Sequence, residues 1–251
     1  MSKARLIYLG SEVTYFVMFI VGRVGSNFLT SSMNAHPNVL GLNETLMDMT
    51  AEQQREWTLK FLTPPLFSRK GAIGFKIKPV QLADPAGYAQ LLREKKPQII
   101  HIWRRNRIKS VISHLNGKRL EKATGMWNLY DESRRLPPFE VDFADFEKAL
   151  RNRERTDRDS ADYVSSLGLP TLSITYEEML QDINAVLVRT FEFLNVPPLP
   201  VKPSTFKATS DDLREVITNF DALRARYAGT EYEAMFDEVL VHAPAPAAQP
   251  A

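Results

Sequence analysis

Phe16-Val17-Met18-Phe19-Ile20-Val21-Gly22-Arg23-Val24-Gly25-Ser26-Asn27-Phe28 begins the stretch that decides the fold, and it runs on through Ala35-His36-Pro37 to Val39-Leu40-Gly41-Leu42-Asn43-Glu44. An apolar run, Tyr15 to Val21, enters a short loop holding Gly22, Gly25 and the small polar residues Ser26 and Asn27. Helical periodicity begins at Phe28. A strand, a tight loop and a helix start present a row of backbone N–H groups to an anion. Phosphate is the anion such a loop suits best.

The same alternation continues outward. Tyr15–Val21, Val39–Leu42, Ala72–Ile77, Gln98–Trp103 and Thr171–Thr175 read as short buried strands. Helical patterns cover Gly25–Ala35, Glu44–Leu62, Pro85–Lys95, Arg107–Leu120, Asp142–Leu167 and Tyr176–Leu194. Continuous apolar strands separated by helices specify an α/β domain, with a mostly parallel central sheet flanked by helices. Leu6–Leu9 reads either as an added edge strand or as part of a hairpin. Leu136-Pro137-Pro138 divides the helical region, and the prolines of Val196–Pro203 end the last long helix. The expected organisation is one domain over residues 1–242, followed by a disordered Ala/Pro tail over 243–251.

Composition narrows the function classes. The 251 residues are 44% hydrophobic and 25% charged, enough for a substantial core. With 32 basic and 30 acidic residues the formal charge is only +2, so nothing points to nucleic acid as a partner. There is no cysteine, which suits a reducing compartment, and the cytoplasm is the expected location. The longest apolar run is far below the ~20 residues of a membrane span, so no transmembrane segment is expected.

Open α/β sheets bind ligands beyond the carboxyl ends of their strands. Arg23, Glu44, Lys76 and Arg105 all fall at such ends. The loop is not an ATP-type P-loop, because Gly25 rather than lysine precedes Ser26 and the cation lies at Arg23. After the strand ending at Trp103 comes Arg104-Arg105-Asn106-Arg107-Ile108-Lys109-Ser110-Val111-Ile112-Ser113, in which Ser113 follows Arg105 by two helical turns. A guanidinium fork and a hydroxyl at that spacing suit one phosphate. Further on, Ile174-Thr175-Tyr176-Glu177-Glu178 passes from strand to helix.

These three segments, in this order, resemble the sulfotransferases that use 3′-phosphoadenosine 5′-phosphosulfate (PAPS), the bacterial carbohydrate or lipid type more closely than the animal cytosolic type. The resemblance spans roughly residues 15–195 and implies a P-loop nucleoside-triphosphate-hydrolase-like fold. It implies that Arg23, Val24, Gly25, Ser26, Asn27 and Phe28 cradle the 5′-phosphosulfate, that Arg105 and Ser113 hold the 3′-phosphate, and that Tyr176 lies near the adenine. It implies a sulfuryl transfer to a hydroxyl without a metal, with Arg23 at the leaving phosphate and Lys76 at the sulfuryl group. Val24 and Asn27 depart from the family's serine and threonine.

Cytosolic members place their histidine base where this chain has Lys78, a poor base when protonated. Glu44 is the base expected here, with His114 as the alternative. His36 is read as ending the first helix, His101 as a core residue and His242 as inert. Lys207 is a possible replacement for part of the C-terminal Arg-Lys-Gly signature, which is absent. Segments 44–69 and 119–138, with Trp57, Phe61, Phe67, Trp127 and Tyr130, are expected to shape the pocket of a carbohydrate, glycolipid or small natural-product acceptor. Two rival readings remain open: a P-loop small-molecule kinase, and a non-catalytic nucleotide-binding relative.

Overall fold

The computed structural model describes residues 8–127, 129, 132–200 and 210–240. Lys207, Tyr130, His242 and the 243–251 tail lie outside the described residues, as do residues 6 and 7 of the Leu6–Leu9 segment. In chain order the strands are β1 Tyr8–Leu9, β2 Thr14–Ile20, β3 Val39–Glu44, β4 Phe67–Ser68, β5 Ala72–Ile77, β6 Gln98–Trp103 and β7 Thr171–Thr175. The helices are α1 Ser26–Asn34, α2 Ala51–Phe61, α3 Pro85–Lys95, α4 Arg107–Thr124, α5 Phe143–Ser166, α6 Tyr176–Gln181, α7 Ile183–Phe193, α8 Phe220–Ala225 and α9 Glu233–Asp237.

Five strands form one parallel sheet in the order β3-β5-β2-β6-β7. The first strand to enter this sheet, β2, lies at its centre, and successive crossovers fill first one side of it and then the other. That order gives the P-loop-like α/β fold. It also places a crevice beyond the carboxyl end of β2, where the chain changes direction. The N-terminal segment settles as a short piece off the main sheet, with Tyr8–Leu9 pairing antiparallel to Phe67–Ser68.

Strand β2 is buried on both faces, which is why it reads as an unbroken apolar run. Phe16, Met18 and Ile20 pack with Leu29 and Met33 of α1 and Val186, Leu187 and Phe191 of α7. Val17 and Phe19 turn the other way, to Leu91 and Leu92 of α3 and Val164 of α5. A third cluster joins Ile108, Val111 and Ile112 of α4 to Phe146 and Leu150 of α5 and to Leu223 and Phe236 of α8 and α9.

Two helical boundaries differ from the periodicity. Helix α2 begins at Ala51 rather than Glu44, because β3 runs on through Glu44 and Thr50 caps the helix with its side chain accepting from Gln53 N. The Tyr176–Leu194 pattern is two helices. Asp182, at φ −152° and ψ 90°, leaves the helical region, and its carboxylate accepts from Ala185 N to cap α7. An Asp side chain that competes for backbone N–H groups restarts a helix as readily as it caps one.

Candidate active site

The loop expected to hold an anion lies between β2, which stops at Ile20, and α1, which starts at Ser26. Gly25 is the N-cap, at φ +76°, and offers no side chain to occupy the first N–H groups of the helix. It also has no room for one: a Cβ there would lie 2.5 Å from Cδ2 of Tyr176 and 3.1 Å from Cε of Met179. Arg23 too sits at positive φ, 64°. The first turn of α1 therefore presents its N–H groups and the positive end of its dipole toward the crevice.

Arg23 turns toward α4. Its Nε donates to Ser113 Oγ at 2.9 Å, and its Nη1 donates to the Trp127 carbonyl at 3.4 Å. The guanidinium carbon lies 5.9 Å from the centre of the Trp127 ring. Burial, with the nearby charge of Arg104, pushes the Arg23 guanidinium down to about 10, so it remains cationic at neutral pH. Two segments 90 residues apart in sequence meet at this hydrogen bond.

Ser113 thus pairs with Arg23, while Arg105 is half exposed with its Nε 3.8 Å from Glu177. Glu177 was not singled out from sequence. It is almost fully buried, and its carboxylate accepts from Arg105 N at 3.0 Å and from Asn106 N at 3.1 Å. It fixes the turn between β6 and α4, and a buried carboxylate earns that role only with such partners. The Tyr-Glu-Glu stretch carried this signal. Tyr176 is buried too, with its ring against Gly25 on one side and the Arg104 guanidinium 4.3 Å from its centroid.

On the other side of the crevice, parallel pairing sets Glu44 of β3 opposite Lys76 of β5. Lys76 is 2% exposed and its Nζ hydrogen-bonds to Asn27 Oδ1, which ties the strand end to the anion loop. Burial lowers the Lys76 ammonium from its ordinary range and the charge of Lys78 adds to this, against the opposing pull of Glu44. Glu44 Oε2 accepts from Lys78 Nζ at 2.7 Å and from Gln81 Nε2 at 2.9 Å. Burial alone would raise the Glu44 carboxyl. The hydrogen bond and charge of Lys78, with help from Gln81 and Lys76, outweigh it and hold the group below the usual carboxylate range.

A cleft of about 870 Å³ opens beside the loop, lined among others by Gly22, Arg23, Lys78, Val80, His114 and Trp127. Burial first, then Lys118, Arg23 and Arg153, pushes His114 down to about 4, so its ring is neutral at pH 7. Of the aromatic residues expected around an acceptor, only Trp127 lines this cleft among those described. Trp57 and Phe61 stack at 4.8 Å and pack edge-on against Phe75 as part of the core, and Phe67 is exposed on β4. Helical spacing could not separate those roles. His36 is fully buried, its Nε2 2.9 Å from the Pro197 carbonyl and its Nδ1 accepting from Asn38 N. His101 lies in β6, 3.4 Å from Ser160 Oγ. Both are structural.

Among the described residues no helix is long and apolar enough to cross a membrane. No group of three or more His, Asp or Glu residues among them is placed to hold a metal ion.

No family model matches the chain. It is 25% identical over 240 residues to Nodulation protein H of Rhizobium meliloti strain 1021, covering 88% of this chain and 94% of that one. Among solved structures it matches a sulfotransferase from Alicyclobacillus acidocaldarius, at 17% identity and TM-score 0.49, over 90% of this chain and 96% of the other. It also matches mouse sulfotransferase SULT7A1 complexed with PAP, at 15% identity and TM-score 0.41, over 90% and 73%. The segments that carry the resemblance keep their order and converge on one crevice of the parallel sheet.

Proposed function

We propose that this protein transfers the sulfuryl group of PAPS to a hydroxyl of an acceptor. The observation that supports the reading is the Arg23–Ser113 hydrogen bond at 2.9 Å, which joins the loop segment to the Arg105–Ser113 segment. In the proposed reaction the acceptor oxygen attacks sulfur in line. The bond from sulfur to the 5′-phosphate oxygen breaks, adenosine 3′,5′-bisphosphate leaves, and the acceptor proton passes to a base.

Transfer of this kind asks the protein for alignment and charge neutralisation rather than covalent chemistry. Backbone N–H groups of Ser26, Asn27 and Phe28 and the Arg23 guanidinium receive the charge that builds on the leaving phosphate. Arg105 and Ser113 take the 3′-phosphate once Ser113 exchanges its Arg23 partner for the ligand. Lys76, anchored through Asn27 to the same loop, faces the sulfuryl oxygens. Glu44 accepts the proton: its carboxylate is ionised at neutral pH, and Lys78 and Gln81 hold it in place.

A second base is favoured by one observation, the neutral His114 ring on the wall of the cleft. The acceptor is a carbohydrate, glycolipid or small natural product, presented to the cleft between Lys78, Val80 and Trp127. No metal takes part, and the cytoplasm is the proposed compartment, on the absence of cysteine from the sequence.

Thermal stability with adenosine 3′,5′-bisphosphate, compared with ATP and Mg²⁺, tests the reading against a kinase. At a hundredfold excess over Kd the bisphosphate stabilises by about 2.7 kcal/mol. Equal or larger stabilisation by ATP and Mg²⁺ refutes it. Transfer of labelled sulfate from PAPS to a panel of hydroxylated acceptors separates an enzyme from a non-catalytic binding relative.

A further inference from the structure

Arg104, which belongs to no part of the site assigned above, is in an electrostatic position that protein groups alone do not resolve. The residue is 6% exposed, and its buried Nε has no hydrogen-bond partner. Its nearest acid is Glu177, 3.9 Å from Nε, and both oxygens of that carboxylate already accept from the Arg105 and Asn106 backbone. A guanidinium carries five donors in a fixed fork and cannot shed its charge. Left without acceptors in a buried place it is costly, and a bound oxyanion is the group that best satisfies it.

Its surroundings place that oxyanion. The Arg104 guanidinium carbon lies 4.3 Å from the centre of the Tyr176 ring, and the edge of that ring lies against Gly25, the N-cap of α1. Behind the same loop, Arg153 of α5 is 8% exposed. Its Nη1 donates to the Gly22 carbonyl at 2.6 Å and its Nε to Asp157 at 2.9 Å, while Nη2 has no partner. Arg23, Arg104 and Arg153 stand close enough for their charges to oppose one another, with Arg104 acting on Arg23 and Arg153 acting on Arg104. Meanwhile one side chain of the loop offers nothing to a phosphate. Val24 is buried in the apolar core and has no donor to offer.

We propose that Arg104, with Arg153 bracing the loop behind it, is a further ligand of the phosphate held at Gly22–Ser26, supplying donors that Val24 does not. The inference rests on the nucleotide-binding reading above and names one more residue of that site. Arg104 grips the 5′-phosphate of the nucleotide with its fork, and Tyr176 is the platform that orients it.

The test compares adenosine 3′,5′-bisphosphate with adenosine 3′-monophosphate and adenosine 5′-monophosphate by calorimetry, using the wild type, Arg104→Met and Arg104→Lys, with melting of each ligand-free protein alongside. In the wild type the affinity gap between the bisphosphate and the 3′-monophosphate measures the worth of the 5′-phosphate. Arg104→Met narrows that gap by about tenfold or more, as loss of a charge-assisted bidentate contact requires, and leaves ligand-free melting unchanged or raised, since an unsatisfied charge has gone.

A purely structural arginine gives the reverse, a lowered ligand-free melt and an unchanged gap, and that result overturns the proposal. So does a loss confined to the gap between the bisphosphate and the 5′-monophosphate, which would assign Arg104 to the 3′-phosphate. If Arg104→Met does not fold, Arg104→Lys decides: a narrowed gap supports the bidentate role and an unchanged gap overturns it. Failure of the wild type to bind the bisphosphate refutes the nucleotide reading itself, and is distinguishable because it needs no variant.

Discussion

Replacing Gly25 with alanine tests how the loop is held open. The residue is left-handed at φ +76°, and an added methyl would meet Tyr176 Cδ2 at 2.5 Å and Cε2 at 2.9 Å. Two costs combine. Forcing an L-residue into the left-handed region costs about 1–2 kcal/mol. Driving a methyl into a ring that is buried and covered by Arg104 costs about 1–3 kcal/mol more, as overpacking does. The sum, ~2–5 kcal/mol, corresponds to a fall of about 4–20 °C in Tm for a chain of this size. Gly125 supplies the matched control: it caps α4 at φ +72°, and a Cβ there meets nothing within 4 Å. Gly125→Ala should cost only the first part, ~1–2 kcal/mol. Melting and urea denaturation of both variants measure the difference, and calorimetry with adenosine 3′,5′-bisphosphate should find binding weakened in Gly25→Ala alone. Trimming the ring in the same protein, as Gly25→Ala with Tyr176→Leu, should be less than additive by about 1–3 kcal/mol. Equal losses from Gly25→Ala and Gly125→Ala, with nucleotide binding intact in both, would refute the Tyr176 contact as the reason for glycine.

Three further outcomes follow from the site. Arg23→Ala should lower kcat by about 10²–10³ at saturating donor, or ~3–4 kcal/mol of barrier, with single-turnover kinetics as the check. Glu44→Gln should lower kcat by about 10²–10⁴ with little change in KM, whereas His114→Gln should leave kcat within a few-fold, and the opposite ranking would transfer the base role to His114. The pH profile of kcat should be flat through neutrality. Its acid limb should lie below the ordinary carboxylate range, because Glu44 is held down and must be unprotonated to accept a proton. Its alkaline limb should lie below the ordinary lysine value of 10.5, because burial lowers Lys76, whose charge is needed. An acid limb above the ordinary glutamate value of 4.5 would refute Glu44 as the base.

The sheet was legible because β2, β5 and β6 are buried on both faces and leave unbroken apolar runs, a signal that depends only on each strand's own composition. The positions of Arg23, Glu44 and Lys76 at strand ends followed from the parallel sheet and held. What the pattern could not carry was competition between local and tertiary partners. Glu44 extends a strand because β5 pairs with it through Lys76, although its neighbours suit a helix. Asp182 breaks a helix that periodicity would continue, because its own carboxylate caps the next one. The partner of Ser113 depended on which way the Arg23 side chain turns. Arg104 reads only as one member of a basic cluster and Glu177 only as part of a helix start, because burial has no signature in the letters. Trp57 and Trp127 read alike, yet one belongs to the core and the other to the cleft wall.

The start of α4 is fastened by residues that come about a hundred positions later. Lys109 Nζ is buried and pairs with Asp211 at 2.7 Å, Asn106 Nδ2 donates to the Met235 carbonyl and to Glu238, and Leu240 N donates to Asp211. On the ribosome, then, the five strands of the sheet are all synthesised while Lys109 still lacks its counter-charge. A nascent chain halted after β7 would hold most of the hydrophobic core yet keep the entrance to α4 loose, so competence to bind a nucleotide should arrive only once the chain has been translated through Leu240.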